Sequence, residues 1–220
     1  MRNRRTLPVR TASAPEAPRR AGGDEGAVLV EAALVIPLLI LLVLGLMEFG
    51  FAWRNDNVVA ASVRTSSRVA SQSLGNAQAD RFAIESYLGT VSQARNITTN
   101  KIIVYKIDES TNPNGDVPPG CLTAPTTGSP PFGVQDVCNV YIPSQWTPAN
   151  LVAANFGCGS AAAYDVKWCP STKRTASLPA TPTTVGVYAD VTYKMITRVI
   201  PGTTIKLSDK SVSRVEPSPV

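Results

Sequence analysis

The chain has 220 residues, of which 17% are charged, and 21 Lys and Arg against 16 Asp and Glu give a net charge of +5. It contains no histidine, which excludes Ser-His-Asp and Cys-His catalysis and any histidine-ligated metal. The motifs G-x-x-x-x-G-K-[ST], G-x-G-x-x-G and G-x-S-x-G do not occur, so the sequence predicts no catalytic residue, no cofactor and no metal site.

A long apolar run follows the basic N-terminus. Residues 27–47 read AVLVEAALVIPLLILLVLGLM and contain one charged residue, Glu31. As a helix this run would be roughly 31 Å long, close to the thickness of the hydrocarbon core of a bilayer. We predict a transmembrane helix over residues 27–50. A cleaved secretory signal is the alternative, but its apolar region would be shorter and would end at an A-x-A-like site, which EFGFAWRNDN lacks.

The charges that flank this run predict its orientation. Residues 1–26 hold six arginines and three acidic residues. Arginine-rich flanks stay in the cytoplasm, so residues 1–26 are predicted to be a cytoplasmic basic leader and the C-terminal part to be extracytoplasmic. A nucleic-acid-binding role is the alternative for the leader. It is not favoured, because no aromatic residues alternate with the arginines.

The junction between leader and apolar run carries a recognisable pattern. Gly26 precedes the run, and Glu31 is the fifth residue when Ala27 is counted as the first. This arrangement resembles the type IV prepilin cleavage signal. The longer stretch resembles the TadE-like family of the tight-adherence (Tad, Flp-type) pilus systems. The residues in the corresponding places are Gly26, Val30, Glu31, Ala33, Leu34, Pro37, Glu48, Phe49 and Gly50.

The resemblance implies a function and a set of partners. A prepilin peptidase would cut between Gly26 and Ala27, and Glu31 would then form an assembly salt bridge with the new N-terminal amine of the same or a neighbouring chain. The protein would be a minor pseudopilin, and its partners would be the membrane, the peptidase, other pilin subunits and the assembly machinery. The large C-terminal part, and Ala32 where the major pilins carry Tyr, argue against a major pilin.

The C-terminal part predicts an α+β domain. The first helix is expected to continue to about residue 73 and to stop at Gly75-Asn76, and residues 79–94 read as a second amphipathic helix. Strands are expected at 101–108, 183–197 and 202–216, in a mostly antiparallel sheet packed on the helix. We therefore divide this part into three segments. Residues 51–109 hold the continuation of the first helix (the stalk), the second helix and the first strand. Residues 110–182 are a loop insertion, and residues 183–220 hold the C-terminal strands.

The insertion is rich in proline and contains all four cysteines. Disulfides are the natural pairing on the outer side of a membrane, and sequential pairing closes the shortest loops. That pairing would join Cys121 to Cys138 and Cys158 to Cys169. A Cys₄ zinc site is the alternative, but it requires closer C-x₂₋₄-C pairs. The aromatic residues of the insertion are expected to pack beneath its loops; they are Tyr141, Trp146, Tyr164 and Trp168.

Two other functions are compatible with the same sequence. The chain could stay uncleaved as a single-pass anchor that displays an external binding domain, and the N-terminus of the finished protein would distinguish this case. An external enzyme would depend on carboxylates, because the chain has no histidine. Nothing in the spacing of Asp108, Glu109, Asp136 and Asp165 selects a catalytic pair.

Overall fold

A computed structural model describes residues 24–73, 75–174, 183–197 and 204–214, which form two compact units. The first unit ends at Val43 and the second begins at Leu44. The longer helices are α1 (Asp24–Gln72) and α2 (Ala79–Val91), and the short ones are α3 (Pro119–Leu122) and α4 (Pro170–Lys173). The strands are β1 (Ile97–Ile107), β2 (Phe132–Val134), β3 (Cys138–Tyr141), β4 (Thr184–Lys194) and β5 (Thr204–Arg214).

The described part of the first unit is the N-terminal portion of α1. Its large apolar side chains, from Val28 to Val43, are 45–73% exposed. Pro37 lies within the helix without ending it. Among the described residues, α1 is the one helix long and apolar enough to cross a membrane, and the apolar window is not buried against the rest of the chain. A lipid-facing helix presents this kind of surface.

The second unit is built on a five-stranded antiparallel sheet with the strand order β2-β3-β1-β4-β5. Because side chains alternate along a strand, each strand of this sheet contributes to two faces. One face carries Ile102, Val104 and the odd-numbered residues of β4 from Val185 to Val191. The opposite face carries Ile103, Tyr105 and Val140.

Helices α1 and α2 cover the first face. Val59 and Val63 of α1 and Ile84 and Tyr87 of α2 are at most 1% exposed and pack against the sheet in one core. Four serines of α1 are buried as well, namely Ser62, Ser66, Ser67 and Ser71. Small side chains let a helix lie close to its neighbours, and their hydroxyls bond to nearby groups.

The Pro-rich insertion covers the opposite face and also extends the sheet. Within it, β2 pairs with β3, and β3 pairs with β1. Cys121 and Cys138 are fully buried in this second core, beside Phe132. The insertion was expected to be loops, and the structure adds two short strands because Phe132, Cys138 and Val140 supply apolar side chains for this face.

The observed elements follow the predicted order with shifted bounds. The predicted mostly antiparallel α+β domain is confirmed. The strand expected at 101–108 begins earlier, at Ile97, and the strand expected at 183–197 is a few residues shorter, from Thr184 to Lys194. The strand expected at 202–216 is present from Thr204 to Arg214 within the described residues. The sequence predicts a hairpin turn at Ile200-Pro201-Gly202 between the last two strands, and that turn lies outside the described residues. Residues 1–23 of the leader, residues 175–182 of the insertion and the last six residues lie outside them as well.

Candidate functional site

The clearest polar site of the second unit is where α1 meets the end of β4. Glu48 is only 7% exposed, and one carboxylate oxygen accepts a hydrogen bond of 2.6 Å from the hydroxyl of Tyr193. The same carboxylate accepts bonds from the backbone amides of Ile196, at 2.9 and 3.1 Å, and Thr197, at 2.9 Å. We call these four residues the junction cluster.

The junction cluster explains why an acid is buried at the end of an apolar run. A buried carboxylate is costly unless hydrogen bonds replace its water shell, and charge-assisted bonds are stronger than neutral ones. The cluster provides such bonds from three donor groups that lie 145–149 residues further along the chain. Burial raises the pKa of Tyr193, and its bond to the Glu48 carboxylate raises it further. Tyr193 therefore stays protonated and keeps donating.

A second polar contact lies two turns further along α1. The side chain of Asn55 donates to the carbonyl oxygen of Arg95 at 2.9 Å and accepts from the Arg95 amide at 3.3 Å. Asn55 is 4% exposed, so this paired contact satisfies the buried side-chain amide. Further along, Ser66 donates to the carbonyl oxygen of Ala83 at 2.8 Å, and Ser67 donates to Ser211 at 2.9 Å. Polar contacts therefore fix α1 at several levels.

The other residues of the predicted N-terminal motif lie on the exposed surface of α1. Gly26 and Ala27 are in the first turn of the helix and exposed, and a Cβ built at Gly26 would meet no atom within 4 Å. Glu31 is exposed and has no hydrogen bond or ion pair within the described ranges. Val30, Leu34 and Phe49 are 63–73% exposed, whereas Glu48 alone of the motif is buried. Ala33, Pro37 and Gly50 are exposed as well.

The cysteines form two disulfides, with S–S distances of 2.02 Å for Cys121–Cys138 and 2.06 Å for Cys158–Cys169. This is the sequential pairing that the loop-length argument favours. The first disulfide ties α3 to the start of β3 within the second core. The aromatic residues of the insertion pack inward, with Trp168 and Tyr141 buried and Trp146 and Tyr164 partly buried against the helix-side core.

A fully buried ion pair lies between α2 and the insertion, and the sequence analysis did not find it. The guanidinium of Arg174 donates to both carboxylate oxygens of Asp80, at 2.6 and 2.8 Å. Tyr141 donates to the same carboxylate at 2.6 Å and Asn139 at 2.8 Å. The guanidinium carbon of Arg174 lies 4.0 Å from the ring centroid of Trp168. Asp80 lies three residues before the buried Ala83, so helical spacing puts this acid on the buried face of α2. That placement was the signal in the sequence for a buried ion pair.

The four carboxylates considered for an external enzyme have other contacts. Asp108 accepts from Ser110, and these bonds hold the pKa of Asp108 below its usual value. Glu109 accepts from Thr184 at 2.6 Å. Asp136 lies 3.3 Å from the ammonium of Lys173. Asp165 is buried and accepts from the amides of Gly157 and Cys158, and burial raises its pKa.

A groove of about 550 Å³ lies beside β1 and is lined by Lys106, Asp108, Asp116 and Asp136, among others. Across the part of the chain that the structure describes, no group of three or more Asp, Glu or Cys side chains is placed to hold a metal ion. The groove therefore offers charged side chains but no metal-binding geometry.

The exposed apolar helix α1 suggests a membrane anchor by its length and composition. The family model described as TadE-like protein matches residues 26–68, which confirms the resemblance over that segment. The matched segment contains Gly26, Glu31, Glu48 and Asn55 and ends within α1. No curated protein and no solved structure matches the chain.

Proposed function

We propose that the chain is a minor pseudopilin-like membrane protein of a Tad/Flp-type pilus system, with a structural or assembly role in adherence or secretion. The match of residues 26–68 to the TadE-like family carries this proposal. That match indicates a component associated with a Tad pilus. We further propose how the chain is processed, how it is oriented in the membrane and which partners it contacts.

The proposed processing site is the bond between Gly26 and Ala27. Both residues are exposed in the first turn of α1, at the start of the matched segment. Cleavage by a prepilin peptidase would give Ala27 a free amine. Glu31 could pair with this amine in a neighbouring subunit or in the same chain, and in a medium of low dielectric the pair would offset the cost of burying both charges. Glu31 has an exposed carboxylate for this role.

The proposed topology places the leader in the cytoplasm and the sheet domain outside. The arginine-rich leader and the two disulfides support this orientation, because disulfides persist in oxidising compartments. We also propose that the chain divides into its segments after residues 26, 50, 109 and 182. The wild-type protein would contact other pilin subunits and the assembly machinery, and it would be a substrate of the peptidase rather than an enzyme.

The test is to determine the N-terminus of the full chain by mass spectrometry, from membranes with and without the cognate prepilin peptidase. We expect a start at Ala27 only when the peptidase is present. Gly26→Leu should stay uncleaved, and Gly45→Leu is the matched control. Both glycines lie in α1, and a Cβ at either position meets no atom within 4 Å. A loss of cleavage at Gly26 alone would therefore reflect recognition by the peptidase and not misfolding.

In the same experiment, Glu31→Ala should be inserted into the membrane but should not be recovered with assembled fibres. Normal assembly of this variant would show that the proposed salt bridge of Glu31 is not needed for assembly. An intact N-terminus at Met1 in both membranes would overturn the processing proposal. It would favour the alternative, an uncleaved single-pass protein that displays an external binding domain.

A further inference from the structure

Three exposed cations belong to backbone segments that hydrogen bonds bring together, beside the part of α1 that follows its apolar run. Arg54 adjoins Asn55, whose side chain binds both backbone groups of Arg95. The next residue, Asn96, accepts a bond of 2.8 Å from the amide of Lys194. These bonds hold Arg54, Arg95 and Lys194 at one end of the domain, and we call them the basic rim.

The basic rim carries charge that the protein itself does not neutralise. All three side chains are exposed, and none has an ion pair or a side-chain hydrogen bond within the described residues. Glu48, the nearby buried acid, is already bonded to Tyr193 and to the amides of Ile196 and Thr197. Asp56 is the exposed acid that follows Arg54 along α1. The rim therefore has a net positive charge.

Exposed apolar side chains lie beside the basic rim. Phe49 is 66% exposed and Trp53 is 63% exposed, with their ring centroids 6.2 Å apart. Ile196, at the end of β4, is 39% exposed. Aromatic rings of this kind favour the interface between hydrocarbon and headgroups, where an apolar body and a polar edge are both accommodated.

The helical rise places Trp53 and Arg54 just beyond the headgroup layer, which their side chains are long enough to reach. Trp53 and Arg54 lie six and seven residues beyond Met47, the last residue of the apolar run, which is about 9–10 Å along the helix axis. The headgroup layer occupies roughly 5–8 Å on each side of the hydrocarbon core. The side chain of Arg54 is long enough to reach back into this layer, and the hydrogen bonds above bring the backbone of Arg95 to the neighbouring Asn55 and the backbone of Lys194 to Asn96.

We propose that the basic rim binds anionic phospholipid headgroups, with Phe49 and Trp53 in the interfacial layer, and so sets the orientation of the sheet domain on the bilayer. The inference rests on the membrane anchoring proposed above. The partner is an anionic lipid surface because the rim combines net positive charge with exposed aromatic rings next to a membrane-spanning run. One cation near an anionic surface raises affinity about fivefold.

The test uses the full chain in lipid nanodiscs that contain equal amounts of phosphatidylglycerol and phosphatidylcholine, released into native mass spectrometry. We expect the wild-type chain to retain the anionic lipid at least about fivefold over the zwitterionic lipid, which is the contribution of a single surface cation. Arg54→Gln, Arg95→Gln and Lys194→Gln combined should abolish this preference. The matched control is Arg64→Gln, Arg68→Gln and Lys206→Gln combined, which removes the same charge from other exposed positions.

The control should keep the wild-type preference. Equal retention of both lipids by the wild-type chain would overturn the inference, and so would an equal loss in the rim and control variants. In the same discs, amide hydrogen exchange of residues 94–97 and 194–197 should slow about threefold when phosphatidylglycerol is present. Unchanged exchange there would also overturn it. The N-terminus of the wild-type chain is measured separately and tests the proposed processing. A chain that starts at Ala27 but shows no lipid preference would therefore refute the lipid inference and leave the proposed function standing.

Discussion

Asp80 shows how a buried charge can fix a connection that the hydrophobic pattern does not reveal. Its carboxylate takes hydrogen bonds from Arg174, Tyr141 and Asn139, and both charged side chains are fully buried. The residues come from α2, β3 and the end of the insertion, up to 94 positions apart in sequence. A periodicity argument places Asp80 on a helix but cannot show which distant cation lies opposite it.

Asp80→Ala should lower the free energy of unfolding by about 3–5 kcal/mol, because it leaves the guanidinium of Arg174 buried without its counter-charge. Chemical denaturation of the full chain in detergent micelles measures this change. Glu85→Ala is the control, since Glu85 pairs with Arg81 at an exposed site, and it should change stability by less than about 1 kcal/mol. Equal effects of the two substitutions would contradict the assignment of Asp80 as a stabilising centre.

At the scale of elements, the sequence predicts α1 well but not how α1 is held. The apolar run, the continuation to about residue 73 and the apolar positions Val59 and Val63 all follow from composition and helical spacing. The buried serines do not, because serine is ordinarily a surface residue and its partners are distant. Ser66 reaches α2, and Ser67 reaches β5. Local pattern cannot identify such long-range partners.

Glu48 connects α1 to the end of β4, and Glu48→Ala should loosen this connection locally. We expect amide hydrogen exchange at Ile196 and Thr197 to accelerate at least tenfold. Each amide loses a bond to a charged acceptor, and such a bond contributes about 1.5–3 kcal/mol. Exchange measured on the full chain in micelles tests this expectation.

Asp56→Ala is the control for Glu48→Ala, because Asp56 is an exposed acid on the same helix. It should leave exchange at Ile196 and Thr197 unchanged. If Glu48→Ala also leaves exchange unchanged, the carboxylate does not protect these amides in solution.

At the scale of the whole molecule, the class of fold was predictable and the second core was not. Two helices and three strands follow from periodicity, and they account for the helix-covered face of the sheet. The insertion is rich in proline and turn residues, which hides β2 and β3, of three and four residues. Strands this short leave too few alternating positions to be recognised. The pairing of β2 with β3, and of β3 with β1, depends on tertiary packing around Cys121–Cys138.

The buried tyrosines make the stability of the fold sensitive to alkaline pH. Burial raises the pKa of Tyr87 from 10.0 to about 12. It also raises the pKa of Tyr105, Tyr141 and Tyr193. Between the unfolded and folded values the unfolded chain loses protons that the folded chain keeps, so the free energy of unfolding falls as pH rises. The tyrosines should not change stability with pH between about pH 7 and 9.5, and stability should decline from pH 10 upward.

Tyr87→Phe should make this decline less steep, at the cost of the hydrogen bond between the Tyr87 hydroxyl and Thr99 at 3.0 Å. Denaturation of the full chain at a series of pH values, in micelles, measures the slope. A Tyr87→Phe slope equal to that of the wild type would show that Tyr87 does not contribute to the alkaline transition.

The junction cluster also sets an order of events during synthesis. A chain grows from its N-terminus, so Glu48 emerges while its three donor groups, 145–149 residues later, have yet to be made. Strand β1 likewise emerges before β4, the neighbour with which it forms its longest pairing. Contacts this distant in sequence slow folding. Helix α1 is therefore complete long before the sheet domain can close on it, and the nascent protein holds an unpaired carboxylate at Glu48 until Tyr193, Ile196 and Thr197 have been made.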